Sequence, residues 1–179
     1  MPRVGRDKKF VPVMLLSLLL SGCVGATDPA EKRNSAPTLE GPLTVSKVTD
    51  GDTIRVIRDG VEIRVRIIGI DTPEIVKSGS PIECYGPESS DYANSKFNGT
   101  SVYLEYDPSQ GELDQFGRVL AHVWTADKTL YAKAAIASGF GREKTYQRAS
   151  VHQEEFLAAQ NRAKTAKVGL WGVCAVDPS

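Results

Sequence analysis

"TIRVIRDGVEIRVRIIGIDTPE" runs from Thr53 to Glu74. Two alternating apolar and polar runs meet at Asp59-Gly60, a hairpin signal, because a type I′ turn needs positive φ at both central residues. Three of the five residues from Arg66 to Ile70 are Ile, the composition of a buried strand. That strand then enters two carboxylates, Asp71 and Glu74, separated by Thr72 and Pro73. A strand that leaves a core and ends in acids presents those acids at a rim.

Upstream, "LTVSKVTD" (43–50) is a further β-rich run, so 43–50, 53–60 and 61–70 are expected to form a three-stranded meander. Residues 75–85, with Lys77, Gly79 and Pro81, read as a loop. "GPESSDYANSKFNG" reads as a helix, with Pro87 near its start and Gly99 at its end. "SVYLEYDP" (101–108) and "RVLAHVWTAD" (118–127) supply two more strands. "TLYAKAAIASGFG" reads as a short helix stopped by Gly139. A last helix places Phe156, Ala159, Ala163 and Ala166 on one face and ends at Gly169. The expected class is α+β: a five-stranded barrel of the OB kind with three helices.

The N-terminus reads as an address. Arg3, Arg6, Lys8 and Lys9 precede the apolar run "FVPVMLLSLLL", Phe10 to Leu20. This run is shorter than the roughly 20 residues that cross a bilayer, and its shape is that of a secretory signal peptide. The following Leu20-Ser21-Gly22-Cys23 resembles a bacterial lipoprotein signal, with Cys23 as the lipidated residue. An ordinary secreted protein with an incidental Cys, or an uncleaved anchor, is the alternative. The expected organisation is a signal peptide over 1–22, a lipidated Cys and flexible tether over 23–41, and a folded domain over 42–175.

The chain carries 22 basic and 22 acidic residues. Taking away the four bases and the one acid, Asp7, of the first 22 residues leaves 18 basic and 21 acidic. No basic field argues for nucleic acid by itself. If Cys23 carries lipid, Cys84 and Cys174 remain, and two Cys in an exported chain suggest one disulfide, with two unpaired thiols as the alternative.

A second acidic stretch, "DGDT", spans Asp50 to Thr53. In a meander, Asp52 at the start of the second strand can lie beside Asp71 at the end of the third. Two carboxylates that close repel unless a cation sits between them. Calcium takes six to eight oxygens; Asp52, Asp71 and the Thr72 carbonyl can offer three. Either motif alone is ordinary turn chemistry.

"VTDGDTIRV", "RVRIIGIDTPE", "YGPESS" and "DQFGRVLAHV", in this order and spacing, resemble the staphylococcal (thermo)nuclease family over about 43–172. The resemblance implies an OB-fold barrel with three helices, and calcium-dependent hydrolysis of DNA and RNA that leaves 3′-phosphorylated products. It implies that Asp52 and Asp71 are the calcium carboxylates and Thr72 the carbonyl ligand. Glu74 matches the general base or water-orienting carboxylate, and Arg66 and Arg118 the two phosphate-binding arginines. Asp50 matches an acidic position near the metal. The residue types suit the chemistry, since phosphodiester attack builds charge on equatorial oxygens and an Arg fork bonds two of them at once.

This sequence departs from the family pattern in places. Gln115-Phe116 stands where the prototype has Lys-Tyr before the Gly-Arg step, so a ring remains for substrate while a charge and a hydroxyl are lost. Tyr146 lies near a substrate tyrosine of the family. Cys84 replaces a Lys before "YGPE". His122 reads as structural or exposed, His152 as a surface or helix-start residue, and Trp124 and Trp171 as core. The expected protein is a monomeric, lipid-anchored nuclease facing away from the cytoplasm. The rival is an OB-fold lipoprotein that binds nucleic acid or calcium without cutting.

Overall fold

The turn at Asp59-Gly60 forms where the alternation breaks. In the computed structural model, which describes residue 1 and residues 36–75 and 81–174, these two residues take φ 51° and 78°. They join β2 (Thr53–Arg58) to β3 (Val61–Ile67). The antiparallel register pairs Thr53 with Arg66 and Arg55 with Arg64. β1 (Glu40–Val48) pairs with β2 on its other side, completing the meander. It begins at Glu40, so the barrel takes in two residues assigned to the tether. Residues 2–22 of the expected signal peptide, Cys23, residues 24–35 of the expected tether, Lys77 and Gly79 lie outside the described residues.

β5 (Ser101–Glu105) and β6 (Val119–Trp124) close the cylinder in the order β1-β2-β3-β6-β5. The closing contact between β3 and β6 is parallel, with Arg66 beside Leu120. The barrel is therefore mixed, and with its helices the fold is α+β. Ile54, Val56, Val65, Ile67, Val102, Leu104, Ala121 and Val123 fill the interior. α1 (Gly86–Phe97), α2 (Tyr131–Ala137) and α3 (Gln153–Ala166) add Phe97, Tyr131, Ile136 and Phe156 to the same core. Burying an aromatic side chain of this kind contributes about 1.5–3 kcal/mol.

The expected single strand over 61–70 is broken. β3 stops at Ile67, and a three-residue β4 (Gly69–Asp71) leaves the barrel to pair with β7 (Arg142–Lys144). Gly69 makes the break, with φ 81°. A Cβ there would lie 2.3 Å from Cε2 of Phe156, so this position also admits the α3 ring. The last helix departs from expectation too. α3 ends at Ala166, which is exposed, and a single turn α4 (Leu170–Val173) follows. α4 carries Leu170 and Trp171 into a small second cluster with Ala163, backed by Tyr85. Cys84 and Cys174 are joined by a disulfide, S–S 2.07 Å, across a sequence separation of 90. Among the described residues no helix is long and apolar enough to cross a membrane.

Candidate active site

The β2–β3 register sets the centre of the site. Because Thr53 faces Arg66, Asp52 lies just beyond the end of the paired stretch. Its carbonyl accepts the Ile67 N–H at 2.9 Å. The Tyr131 hydroxyl, reaching up from α2, donates to the Gly51 carbonyl at 2.7 Å and pins the acidic turn from below.

Arg66 is 5% exposed, although it sits on a strand of a small barrel. The β3–β4 break explains how it is accommodated. Its Nη1 donates to the Ile67 and Ile70 carbonyls, both at 2.8 Å, so the bend in the chain cages the guanidinium. Nη2 then faces Asp52 Oδ2 at 3.1 Å and Asp71 Oδ1 at 3.4 Å. It also donates to the Tyr146 hydroxyl at 3.1 Å. Tyr146 is 64% exposed, so its ring is open to solvent while its hydroxyl reaches the site.

Asp52 is equally covered, at 5% exposure. Burial pushes its carboxyl from the ordinary 3.8 up to about 6. Arg66 works against that rise and Asp50 adds to it, while the Thr72 N–H and Thr53 hydroxyl also oppose it. Those two donors are 3.2 Å and 3.0 Å away. Asp52 is thus a desolvated carboxyl whose ionisation is favoured by added positive charge. Asp52, Asp71 and the Thr72 carbonyl are hard oxygen donors, the chemistry that suits calcium or magnesium. The residues present therefore fit such an ion. Among the described residues no group of three or more His, Cys, Asp or Glu forms a ready metal cage.

Arg118, just before β6, reaches the same acid through Thr53. Its Nε donates to Asp114 Oδ2 at 2.6 Å, and its Nη1 to the Thr53 hydroxyl at 3.3 Å. Thr53 in turn donates to Asp52, so one hydroxyl links the second arginine to the acid. Asp114 Oδ1 also accepts the N–H groups of Phe116 and Arg118 at 2.8 and 2.9 Å. Burial raises Asp114, but the Arg118 and Phe116 bonds outweigh it and hold the carboxyl below its ordinary value. Phe116 is 61% exposed, its ring 5.4 Å from the Arg118 guanidinium.

Glu74 follows β4 in an irregular segment. Its N–H donates to Glu83 Oε2 at 3.2 Å and its carbonyl accepts the Glu83 N–H at 3.0 Å. Glu83 adjoins Cys84, so the disulfide anchors the segment that braces Glu74. The structure therefore gathers Asp52, Arg66, Asp71, Thr72 and Tyr146 into direct contact, joins Arg118 through Thr53, and sets Glu74 three residues beyond Asp71.

Sequence reasoning did not single out Asp114 or Thr53. Asp114, three residues before Gly117 and four before Arg118, carried the signal of an Asx turn. Of the readings offered for the two histidines, the structure bears out the structural one for His122 and the helix-start one for His152. His122 is wholly buried, its Nε2 3.2 Å from Asp107 Oδ2. His152 stands at the N-cap position of α3 without a side-chain capping bond, and its Nε2 lies 2.9 Å from Glu105 Oε2. Trp124 Nε1 donates to that same Glu105 oxygen at 2.7 Å.

The model of the family described as "Staphylococcal nuclease homologue" matches residues 64–173. The chain belongs to the staphylococcal nuclease homologue family. The match takes in Arg66, Asp71, Thr72, Glu74 and Arg118. Relatives agree with the assignment. A thermonuclease of Staphylococcus hyicus is 39% identical over 132 residues, 74% of this chain and 76% of the relative. A thermonuclease of Staphylococcus intermedius is 35% identical over 140 residues, 78% and 82% respectively. Endonuclease YncB of Bacillus subtilis is 30% identical over 130 residues, 72% of this chain and 61% of its own length.

Proposed function

We propose that this member of the family is a calcium-dependent nuclease that hydrolyses DNA and RNA with little sequence preference and leaves 3′-phosphorylated products. The observation that carries the reading is the convergence of two arginines, from β3 and from the turn before β6, on one buried carboxylate, Arg66 directly and Arg118 through the Thr53 hydroxyl. Arg66 and Arg118 bind oxygens of one phosphate and stabilise the charge that grows on them in the transition state. Glu74 accepts a proton from the attacking water, or orients it. Asp52, Asp71 and the Thr72 carbonyl would hold calcium, which when bound supplies Lewis-acid charge. Phe116 and Tyr146 offer exposed rings to the substrate. Grip on the phosphate and sugar needs no reading of base edges.

The same proposal places the protein outside the cytoplasm as a monomer, tethered to a membrane by lipid on Cys23. Cys23→Ser is expected to move it from the membrane fraction to the soluble fraction; retention in the membrane would refute the anchor.

Degradation of single- and double-stranded DNA and of RNA in calcium tests the chemistry. Activity should vanish with a chelator and fall about 10²–10⁴-fold in Glu74→Gln. Retained binding of calcium or nucleotide without cleavage by the unsubstituted chain would replace the enzyme with a binding module.

A further inference from the structure

Outside the site, the outer face of β2 and β3 carries a basic cleft of about 540 Å³. Its lining includes Arg55, Arg58, Glu62, Arg64, Leu113 and Gly117. We propose that this cleft binds the phosphate backbone of the polynucleotide strand flanking the bond to be cut. The proposal deepens the nuclease reading and rests on it.

Several observations converge. Arg64 and Arg66 are two residues apart on one strand, so they share a face and are separated by about 6.6 Å. The step from the caged phosphate-binding arginine to the cleft is thus short enough for an extended nucleotide strand to follow. Arg64 Nη2 donates to the Phe116 carbonyl at 2.8 Å, which joins the cleft to the loop that carries Arg118. Arg55 lies directly opposite Arg64 across the strands. Like charges in that position destabilise a sheet unless something negative lies between them.

One acid answers in part. Glu62 lies 2.8 Å from Arg55 Nη1 and also accepts the Ser46 hydroxyl at 2.9 Å. Arg58 donates to the Tyr106 hydroxyl at 3.2 Å and stands 4.0 Å from Glu40. Among the charged residues lining the cleft itself, three arginines outnumber one carboxylate. The Nε of Arg55 is buried and has no hydrogen-bond partner among the described residues. A phosphate chain meets these demands: it supplies repeated charge at a spacing matched to the strand, and it continues from a phosphate already held by Arg66 and Arg118. The chain as a whole balances 22 basic against 22 acidic residues, so a local concentration of arginine is the more informative.

The test measures binding of a thymidine dinucleotide and of a long thymidine strand to the full chain, in chelator and across a salt series. Each lost phosphate contact should lower the salt slope by about 0.7 for a single strand. Arg55→Gln should therefore lower it by about 0.7, and Arg55→Gln with Arg64→Gln by about 1.4. Both should weaken long-strand binding far more than dinucleotide binding. Glu62→Gln should strengthen long-strand binding, a change that damage to the fold would not produce. Unchanged long-strand affinity and slope in the arginine variants would overturn the proposal. So would an equal loss for both ligands, since the arginines would then act only by positioning the Phe116 loop. Failure of the nuclease reading shows separately, as absence of calcium-dependent cleavage by the unsubstituted chain.

Discussion

Asp114 shows how one residue can prepare another for chemistry. A guanidinium on a turn has many rotamers, and fixing it costs up to about 2 kcal/mol of side-chain entropy. Asp114 bears that cost during folding by binding both the Arg118 side chain and the backbone beneath it. Asp114→Ala is therefore expected to lower kcat/KM about 10²-fold, the scale of a misplaced catalytic group. The matching measurement is kcat/KM beside a denaturation midpoint; a loss of activity explained wholly by unfolding would refute the positioning role. Which residues were legible in the sequence follows from this difference. The acids and arginines of the candidate site stand out because charges at the end of an apolar strand need a reason. Thr53 and Asp114 did not stand out, since their work is on other side chains and depends on which loop reaches which strand.

At the scale of elements, the break between β3 and β4 does most to shape the site. Gly69→Ala places a Cβ against Phe156 at a backbone angle L residues avoid. The expected loss is about 2–5 kcal/mol, combining overpacking with left-handed strain. It should shift the carbonyl cage around Arg66 as well, so residual folded protein loses activity. Urea unfolding with a parallel activity assay checks both; an unchanged midpoint would show that the ring simply moves aside. The sequence revealed the β2–β3 hairpin because its turn chemistry is local. It concealed the break because "IIGID" looks continuous as an apolar run, and it concealed β7 because a three-residue strand has no period to detect. A second element-level prediction concerns acid. Burial holds His122 below its ordinary 6.5, despite the opposing pull of Asp107. Burial would raise Asp107, but the Val151 N–H, Ser109 and His122 hold it below 3.8. For both groups the unfolded chain binds protons more readily, so stability falls as pH falls. The His122 part is lost below about 6.5 and the Asp107 part below 3.8. Denaturation midpoints at pH 7.5 and 5.5 should differ, and less so in His122→Gln; equal midpoints in the unsubstituted chain would contradict the assignment.

Across the whole molecule, the disulfide links α4 to the segment before α1. A loop of this length restricts the unfolded chain by about 4–5 kcal/mol in the chain-entropy model. Cys84→Ser should approach that loss, read as a lower urea midpoint that reductant no longer changes. Reductant sensitivity equal to that of the unsubstituted chain would show that the bridge is not the cause. The architecture itself was legible as five strands and three helices, because each element has its own pattern. The parallel β3–β6 contact was not, since pairing between distant strands leaves no mark in either one. That contact has a consequence in time. Arg66 and Arg118 come together only when β3 and β6 meet, and non-local pairing is the slow part of folding. The chain should therefore be chemically silent through most of its folding and gain the power to cut only at the end. On the proposed function, a newly made, still unfolded copy would be harmless to any nucleic acid it passes.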